Sequence, residues 1–523
     1  MISPEYLSGM LDFLEVHKEL TESILQDIVR RIVKTDFTIT ETAELQTEIL
    51  QQSGMCFDEI LGRISESTSK TREEIKAIYD ESETEIFDIP ESVLTANGIE
   101  PTRFKSLSPE MSKMYKASLS ASTKEIINLT RTTAVTSQTA FINCCNVAQM
   151  QIMSGAFSYQ EAIKQAIISA AQKDVQVLYP TGHRTSLDAA CRRAVLTGFN
   201  QTCIKMQEMR ADEFDIDIME ITAHFGARPT HAEWQGQLVS RSGRAGYLSL
   251  DDIGYGKVDG FMGANCRHDW NLFFEGFSKR LYSDEELERL KNQTVTYDGK
   301  ELKAFEATQK QRELERLIKK DKRELICINE GIKNAPDAKL KDELSKEFEK
   351  KAVRLKQHEA KLADFCNQTG LNRDRYREQQ FAVKTEQGIS SWTKSVSGKA
   401  VAANERALTR KYEDAIIKEI KACGIKGTVH LTPTKIILSE YSFDDKHING
   451  EQKRNITREQ AEQFIKNASI SVTTWKGDSE QYFAKEGAAY TLIKEKSIRT
   501  AYRKEDFDEK IIKMMEVLNK YGL

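Results

Sequence analysis

Apolar residues recur at helical spacing through the first 155 residues of the chain. The clearest positions are Leu7, Leu11, Leu14, Ile24, Ile28 and Ile32. Residues three or four apart share one face of a helix, so this region is predicted to be a helical body. Residues 108–155 are rich in Ser, Thr, Ala and Gln and carry a weaker apolar stripe. That stripe fits a helix packed against another subunit, or a half-exposed helix within one domain.

The pattern changes after residue 156. Ser158 and Ser186 stand where helix N-caps are expected, and they predict helices that end near Lys173 and Ala211. The segment 215–221 alternates polar and apolar residues, as a half-buried strand does. Nine glycines then fall between Gly226 and Gly276, which indicates many turns. Residues 156–285 are therefore predicted to form a small glycine-rich α+β module.

Charge dominates the next segment. Residues 286–380 contain 19 acidic and 23 basic side chains of mixed order, with a thin seam of apolar positions. Such a pattern favours a helical hairpin or coiled-coil arm with a solvated charged face. The turn is expected near Asn334-Ala335-Pro336, because proline does not continue a helix. We assign residues 286–396 to this arm or linker.

The last segment has a compact, mixed pattern. A helix over residues 400–423 and a second one capped by Thr457 alternate with short β-rich pieces, and a last helix starts near Glu505. The predicted strands are Thr428–Leu431, Lys435–Leu438, Ile470–Trp475, Tyr482–Lys485, Ala489–Ile493 and Ile498–Tyr502. This order predicts an α+β domain over residues 397–523. The predicted fold is thus a mainly α-helical body (residues 1–155), the glycine-rich module, the helical arm and this C-terminal domain.

Composition narrows the function classes. The 523 residues carry a formal net charge of −4, which excludes a strongly basic nucleic-acid coat over the whole chain. No stretch is long and apolar enough for a membrane span, and the first residues do not read as a secretory signal. The nine cysteines form no CxxC pair, so we expect reduced thiols in a cytosolic setting.

The densest group of metal-ligand side chains lies in the glycine-rich module. Its members are His224, His231, Cys266 and His268. Four such ligands suit Zn²⁺, but the spacing is not that of a standard zinc knuckle. The alternative is a metal-free polar knot, in which Trp234 is buried, Arg228 and Arg267 donate to backbone carbonyls and Asn265 forms a turn. The sequence favours the polar knot, with no metal and no cofactor.

The same residues resemble a known family. The runs 226–236 and 260–268 are similar to the signature of the phage minor capsid protein 2 family, which is related to the Mu F-like head-morphogenesis proteins. The motif residues are Gly226, Arg228, His231, Trp234, Gln235, Gly236, Asn265, Cys266, Arg267 and His268. The resemblance covers roughly residues 1–290.

The resemblance implies a structural role in a virus particle. It implies a low-copy, oligomeric virion protein at the portal vertex of a tailed-phage head, present in the host cytoplasm during assembly. The implied partners are the portal and other head proteins, with packaged DNA as a further one and no membrane. It implies no enzyme activity for the first 290 residues.

The C-terminal domain holds candidate catalytic residues. They are His447, Arg454, Arg499, Thr500 and Tyr502. A metal-independent ribonuclease needs a general base and cationic groups that offset charge on the phosphate, and this set supplies both.

The layout of that domain resembles the nuclease-like domains of the barnase–EndoU–colicin–RelE group that follow Mu F-like head proteins. The matching segments are 444–447, which ends in His447, and 500–502. The resemblance implies a toxin-like ribonuclease that acts on RNA. The second histidine common in such domains is missing, unless His430 serves.

Two other functions stay open. The first is a purely structural virion protein whose C-terminal domain only binds partners or DNA. The second is a bacterial polymorphic toxin, which needs a secretion or trafficking module that the N-terminal sequence does not show.

Overall fold

The computed structural model describes residues 15–37, 39, 42–82, 89–381, 384–385, 388–389 and 392–523. These residues divide into two compact units, Met1–Ala403 and Asn404–Leu523. We call them the helical unit and the C-terminal unit. The stripe at Leu7, Leu11 and Leu14 lies outside the described residues, and the division into four segments stays a prediction.

Helices build most of the first unit, as predicted. The helices before the glycine-rich module are α1 (Glu15–Lys34), α2 (Thr42–Ser82), α3 (Glu91–Ala96), α4 (Pro101–Lys105), α5 (Pro109–Met153), α6 (Tyr159–Lys173) and α7 (Leu187–Glu213). Ser108, Ser158 and Ser186 cap α5, α6 and α7, each accepting a backbone N–H with its hydroxyl. A two-stranded sheet, β1 (Gln176–Leu178) with β2 (Arg184–Ser186), joins α6 to α7.

A three-stranded antiparallel sheet lies in the glycine-rich module. Its strands are β3 (Ile218–Ile221), β4 (Leu238–Ser240) and β5 (Trp270–Leu272), with β3 in the centre. The short helix α8 (Pro229–Ala232) falls between β3 and β4. All four residues of β3 are buried, so the sheet is covered on both faces. This sheet brings the two halves of the sequence motif together, because β4 and β5 both pair with β3.

A helical hairpin completes this unit. After α9 (Asp284–Asn292) and the hairpin of β6 (Thr294–Tyr297) with β7 (Lys300–Lys303), the long helices are α10 (Ala304–Asn334) and α11 (Ala338–Thr369). The turn falls at residues 335–337, one position after the predicted Asn334-Ala335-Pro336, and Asp337 caps α11 by accepting the N–H of Leu340 at 2.7 Å. The shorter elements that follow are Arg375–Glu378, β8 (Lys384–Thr385), β9 (Gly388–Ile389) and Trp392–Ser397.

The expectation of a solvated charged arm is wrong for α10. This helix packs on α1, α6 and α11, and Gly331 marks the close approach. A Cβ at Gly331 would lie 2.8 Å from Ile167 Cδ1 and 3.1 Å from Leu344 Cδ1. Helix α10 is therefore part of the core of the helical unit.

Charged side chains are buried along with α10, and they are paired. Glu324 is fully buried and lies 2.6 Å from both Lys351 Nζ and an Arg354 guanidinium nitrogen. Asp321 accepts from Arg354 at 2.7 Å and lies 2.6 Å from His358 Nδ1. An unpaired buried charge is strongly destabilising. The alternation of acidic and basic residues in this segment therefore supplies the pairs that the buried side chains need.

The C-terminal unit is an α+β fold around a six-stranded sheet. The strand order is β10-β12-β13-β14-β15-β11, and only the β11–β15 pair is parallel. The elements are α12 (Gly398–Ala422, begun in the helical unit), β10 (Thr428–His430), β11 (Ser442–Phe443), α13 (Arg458–Lys466), β12 (Ile470–Thr474), β13 (Ser479–Phe483), β14 (Gly487–Leu492), β15 (Ser497–Arg503) and α14 (Glu509–Lys520). One core lies under α12 and α14, and a second lies under α13. The broad prediction of a helical body followed by a sheet-containing domain is confirmed.

One predicted strand is wrong. Residues Lys435–Leu438 lie outside the sheet, and Leu438–Glu440 form a short 3₁₀ turn. Thr434, just before them, donates its N–H to Ser471 Oγ and accepts from Tyr482 Oη at 3.0 Å. The side chains of Ser471 in β12 and Tyr482 in β13 thus hold the backbone of Thr434. The next strand in the sequence, β11, begins only at Ser442.

Within the described residues, none of the helices is long and apolar enough to cross a membrane. Eight cysteines of the described chain are free thiols, and all but Cys423 are buried.

Acid should destabilise the helical unit through His17. This side chain is 2% exposed, and burial lowers its pKa to about 4. Its folded pKa lies below the unfolded value of about 6.5. Its contribution to stability is therefore complete above pH 6.5 and declines as the pH falls toward 4. Between pH 7 and pH 5 it should account for roughly 2 kcal/mol of lost unfolding free energy.

Urea unfolding of the full-length protein at both pH values measures this loss. His17→Gln should reduce the pH dependence, and His183→Gln, at an exposed position, should not. An unchanged pH dependence in His17→Gln would show that the protein does not keep this imidazole buried and neutral.

Candidate functional site

The first half of the motif is a tight turn around α8. Gly226 and Gly236 flank this helix, and both have left-handed backbone angles, with φ of 71° and 69°. A Cβ at Gly226 would lie 2.7 Å from Thr308 Cγ2, and one at Gly236 would lie 2.2 Å from Leu287 Cδ2. The glycines therefore serve two purposes: they allow the turn, and they let it dock against α10 and α9.

Three motif side chains converge in the interior. His231 Nδ1 lies 3.3 Å from His268 Nδ1, and Cys266 Sγ lies 3.7 Å from the same His268 nitrogen. These three ligand atoms all lie within 4.8 Å of one another, and the residues are buried. We call His231, Cys266 and His268 the Cys/His group.

Aromatic rings enclose the group. His224 stacks on His268 with ring centroids 4.4 Å apart. Trp234 is 6% exposed and contacts the rings of His231 and His268, at centroid distances of 4.5 and 4.8 Å. His224 is thus adjacent to the group but does not belong to it. The structure buries Trp234 as the sequence predicts.

Hydrogen bonds from two elements hold the Cys266–His268 segment. Asn200 of α7 donates its side-chain N–H to the carbonyl oxygens of His268 at 3.1 Å and of Cys266 at 3.5 Å. Arg228 donates to the carbonyl oxygen of Ala264, as expected for this arginine. Asn265 adopts a left-handed angle, φ 58°, within the turn. The segment is therefore fixed to α7 and to the start of α8.

Burial makes the histidines of this site weak bases. It lowers the pKa of His268 well below its usual value, and it lowers those of His224 and His231 as well. Burial also raises the pKa of the Cys266 thiol. In the protein alone the site therefore holds neutral imidazoles and a neutral thiol at pH 7.

Arg267 behaves differently from Arg228. Its side chain has no hydrogen bond to a carbonyl among the contacts of the described residues. Arg267 is an exposed residue, but partial desolvation of its guanidinium, followed by the nearby Arg312 and Arg192, lowers its pKa to about 10. Burial and the same neighbours, together with Arg267, lower that of Arg377 to about 9. Four guanidinium groups therefore lie near one another in the helical unit, where Arg312 is also paired with Glu315 at 2.7 Å and Arg377 with Asp374 at 2.8 Å.

In the C-terminal unit, a carboxylate orients the candidate base. His447 Nδ1 lies 2.7 Å from Glu451 Oε2, and its Nε2 lies 3.0 Å from Gln452 Nε2. A carboxylate only accepts, so Nδ1 carries the proton and Nε2 is the acceptor. Gln452 Oε1 in turn accepts from the Thr500 hydroxyl at 2.6 Å. The structure thus connects His447 to Thr500 through Gln452.

The remaining candidates are already paired. Arg499 contacts the Asp444 carboxylate, which also accepts the backbone N–H of His447 at 3.0 Å. Arg454 lies 3.0 Å from Asp506 and 5.3 Å from the ring centroid of Tyr502.

Tyr502 is 9% exposed, and its hydroxyl lies 2.8 Å from that of Tyr490. Burial raises its pKa. Tyr502 is therefore a core residue that supports Arg454, whereas His447, Arg499 and Thr500 share one surface.

His430 does not provide a second histidine at this place. It ends β10 at one edge of the six-stranded sheet, whereas His447 follows β11 at the opposite edge. Five strand spacings of about 4.8 Å separate these edges. His430 instead contacts the Thr473 hydroxyl at 2.7 Å.

Sequence reasoning did not single out several residues that position these sites. Glu451 stands four residues after His447, a spacing at which helical neighbours meet, so this pair was detectable. Asn200 left no comparable signal, because its partners Cys266 and His268 are distant in sequence. The contact of Gln452 with Thr500 likewise spans 48 residues. The contact of His231 Nε2 with the Asp259 carbonyl, at 2.8 Å, involves a backbone atom that any residue supplies.

Comparison with protein families matches residues 2–367 to the family described as Phage minor capsid protein 2. The chain belongs to this family. The match extends beyond the motif region and through most of α11, so the buried hairpin is part of what the family shares. Neither the curated proteins nor the solved structures gave a match.

Membership in the phage minor capsid protein 2 family supports a structural role in the phage head and a location in the virion. The motif residues of the family therefore belong to a structural module. In this module they fix a turn-rich segment against α7, α9 and α10.

Gly236→Ala should destabilise this minor capsid protein by roughly 2–4 kcal/mol. The substitution places a methyl group in a left-handed position, which costs about 1 kcal/mol, and the contact with Leu287 adds the cost of overpacking. Gly243 is the matched control, since its φ is 79° but no atom lies within 4 Å of the position that a Cβ would occupy there. Gly243→Ala should therefore cost only about 1 kcal/mol.

Urea unfolding of the full-length variants measures both effects. Leu287→Ala in the Gly236→Ala background should be less damaging than the sum of the two single substitutions. Equal losses for the two glycine variants would disprove the docking role of Gly236.

Proposed function

We propose that this minor capsid protein is a low-copy, oligomeric component of the portal vertex that acts in head assembly. The observation that carries the proposal is the family match over residues 2–367. Its direct partners are then the portal and other head proteins. The exposed apolar side chains along α5, Val135, Val147, Met150 and Met153, offer a surface of the kind that such contacts bury.

Packaged DNA is a further proposed partner. Support comes from a group of neighbouring arginines, Arg267, Arg312 and Arg377, which supply guanidinium groups of the kind that contact phosphate; Arg312 is also paired with Glu315 and Arg377 with Asp374. The net charge of −4 limits such contact to a local patch.

Purified virions test the assembly role. We expect the protein in particles at low copy number, and at one vertex when particles are imaged by cryo-EM. Substituting Met150 and Met153 with Gln should reduce its incorporation, since it removes apolar area from the α5 surface without touching the core. Lys34→Gln, at an exposed position on α1, is the control. A free soluble protein absent from virions would contradict the proposal.

For the C-terminal unit we propose a metal-independent ribonuclease with a toxin-like effect. The pair of Glu451 with His447 supports this, because it holds the imidazole with Nε2 as the acceptor. In the proposed reaction Nε2 takes the proton of a ribose 2′-hydroxyl. The 2′-oxygen then attacks phosphorus, and the bond to the 5′-oxygen breaks. The 5′-oxygen takes up a proton from water, which leaves a 2′,3′-cyclic phosphate.

The substrate has to displace one contact. The 2′-hydroxyl replaces the Gln452 amide at His447 Nε2, which leaves Gln452 on Thr500. Arg499 is a cationic group on the same surface, and it exchanges its Asp444 contact for the phosphate. Arg454 and Tyr502 support the surface from the core side. There are two alternatives. The first is a purely structural or binding role for this unit, and the second is that the protein is a bacterial polymorphic toxin.

Expression of residues 397–523 in bacteria tests the ribonuclease. We expect growth arrest and RNA fragments with 2′,3′-cyclic phosphate ends, in the presence of EDTA. His447→Ala should abolish both effects. Glu451→Gln should keep only part of the cleavage, because the imidazole loses the carboxylate that orients it.

His430→Ala is the matched control, since it removes a histidine from the opposite edge of the same sheet. It should stay active. A folded wild-type segment that neither arrests growth nor cleaves RNA would leave the structural or binding role for this unit.

A further inference from the structure

The hydrogen bonds around the Cys/His group define which ring nitrogens carry protons. His231 Nε2 lies 2.8 Å from the carbonyl oxygen of Asp259. A carbonyl oxygen only accepts, so Nε2 is the protonated nitrogen and His231 Nδ1 carries a lone pair. The acceptor is a backbone atom, so its role as an acceptor is fixed.

The same reasoning applies to His268, though its contact is longer. His268 Nε2 lies 3.4 Å from Gln235 Oε1. That oxygen is identified as an acceptor because the backbone N–H of His224 donates to it at 3.1 Å. His268 Nε2 therefore carries the proton, and His268 Nδ1 has a lone pair as well. The two Nδ1 lone pairs face each other across 3.3 Å.

Two facing lone pairs repel unless a positive centre lies between them. Histidines that bind a metal commonly donate their other N–H to a carbonyl oxygen or a carboxylate, and this second contact fixes the tautomer. Both His231 and His268 have that arrangement. Cys266 Sγ, a ligand suited to soft and borderline cations, lies next to the same nitrogen.

Two of the three separations between ligand atoms match a zinc site, and the three atoms all lie within 4.8 Å of one another. With Zn–N bonds of about 2.05 Å and a Zn–S bond of about 2.3 Å, a tetrahedral ion separates two nitrogens by about 3.3 Å and a nitrogen from a sulfur by about 3.6 Å. The observed separations are 3.3 Å between His231 Nδ1 and His268 Nδ1, and 3.7 Å between Cys266 Sγ and His268 Nδ1.

We propose that His231, Cys266 and His268 bind one Zn²⁺ ion that ties the turn after β3 to the segment before β5. The three protein ligands come from the short helix α8 and from the segment before β5; His231 and Cys266 are 35 residues apart in sequence. On binding, the Cys266 thiol releases its proton to solvent and coordinates as the thiolate. The ion replaces the metal-free polar knot that the sequence favours. Its role is structural, since the group is buried and enclosed by aromatic rings.

Elemental analysis of the untagged full-length protein, purified without chelators, tests the site. We expect about one zinc per chain, and a melting temperature that falls with EDTA and recovers with added Zn²⁺. Cys266→Ser and His268→Gln should each reduce the zinc content at least tenfold. Cys203→Ser is the matched control, because Cys203 is a buried thiol of α7 outside the group, and it should keep its zinc.

Cobalt provides a readout that does not depend on stability. Co²⁺ added to the chelator-treated protein should give the visible bands of a tetrahedral ion and a thiolate-to-cobalt charge-transfer band, which Cys266→Ser removes and Cys203→Ser retains. Absence of zinc from the wild-type protein, together with melting that neither EDTA nor Zn²⁺ changes, would overturn the proposal. Because these measurements use the wild-type chain, they decide the matter even if a ligand variant does not fold.

Discussion

Compensation of buried charge on α10 is the constraint on which the helical unit depends. Glu324 and Asp321 face the guanidinium of Arg354 on α11. On the opposite side, Lys319 lies 2.6 Å from Asp188 and Arg323 lies 3.2 Å from Asp174. Each pair contains a carboxylate that loses most of its contact with water on folding. The buried charge is therefore stabilised only while its partner stays in contact with it. The pairs therefore fix α11, the end of α6 and the start of α7 relative to one helix.

This constraint also explains where sequence reasoning failed. Composition shows that residues 286–380 are highly charged, but it does not show where the opposite charges lie. The helices, the turn at residues 335–337 and the N-caps were predictable because each depends on neighbours in sequence. The burial of α10 depends on Asp174, Asp188 and other residues more than 100 positions away. Gly331 was the one local signal, since glycine inside a helix is unfavourable unless close packing requires it.

The candidate sites, like the fold, were predictable only where they depend on residue type or on neighbours in sequence. The side chains with chemical potential, His231, Cys266, His268 and His447, stand out in the sequence by type. The tautomers of His231 and His268 do not, because a backbone carbonyl and a glutamine oxygen determine them. The sheet order of the C-terminal unit likewise determines that His430 and His447 are at opposite edges. Pairing between strands that are distant in sequence has no local signature, so this separation required the structure.

The two units place different demands on their polar groups. In the helical unit the Cys/His group and the charges of α10 are buried, so substrate cannot reach them and their contacts serve architecture. In the C-terminal unit the His447 side chain is 22% exposed, and its contact with Gln452 is one that an incoming hydroxyl can replace. Since the cores of the two units are separate, substitutions at His447 need not disturb the part of the chain that the family match covers. The chemistry proposed for the C-terminal unit can therefore vary independently of the architecture of the helical unit.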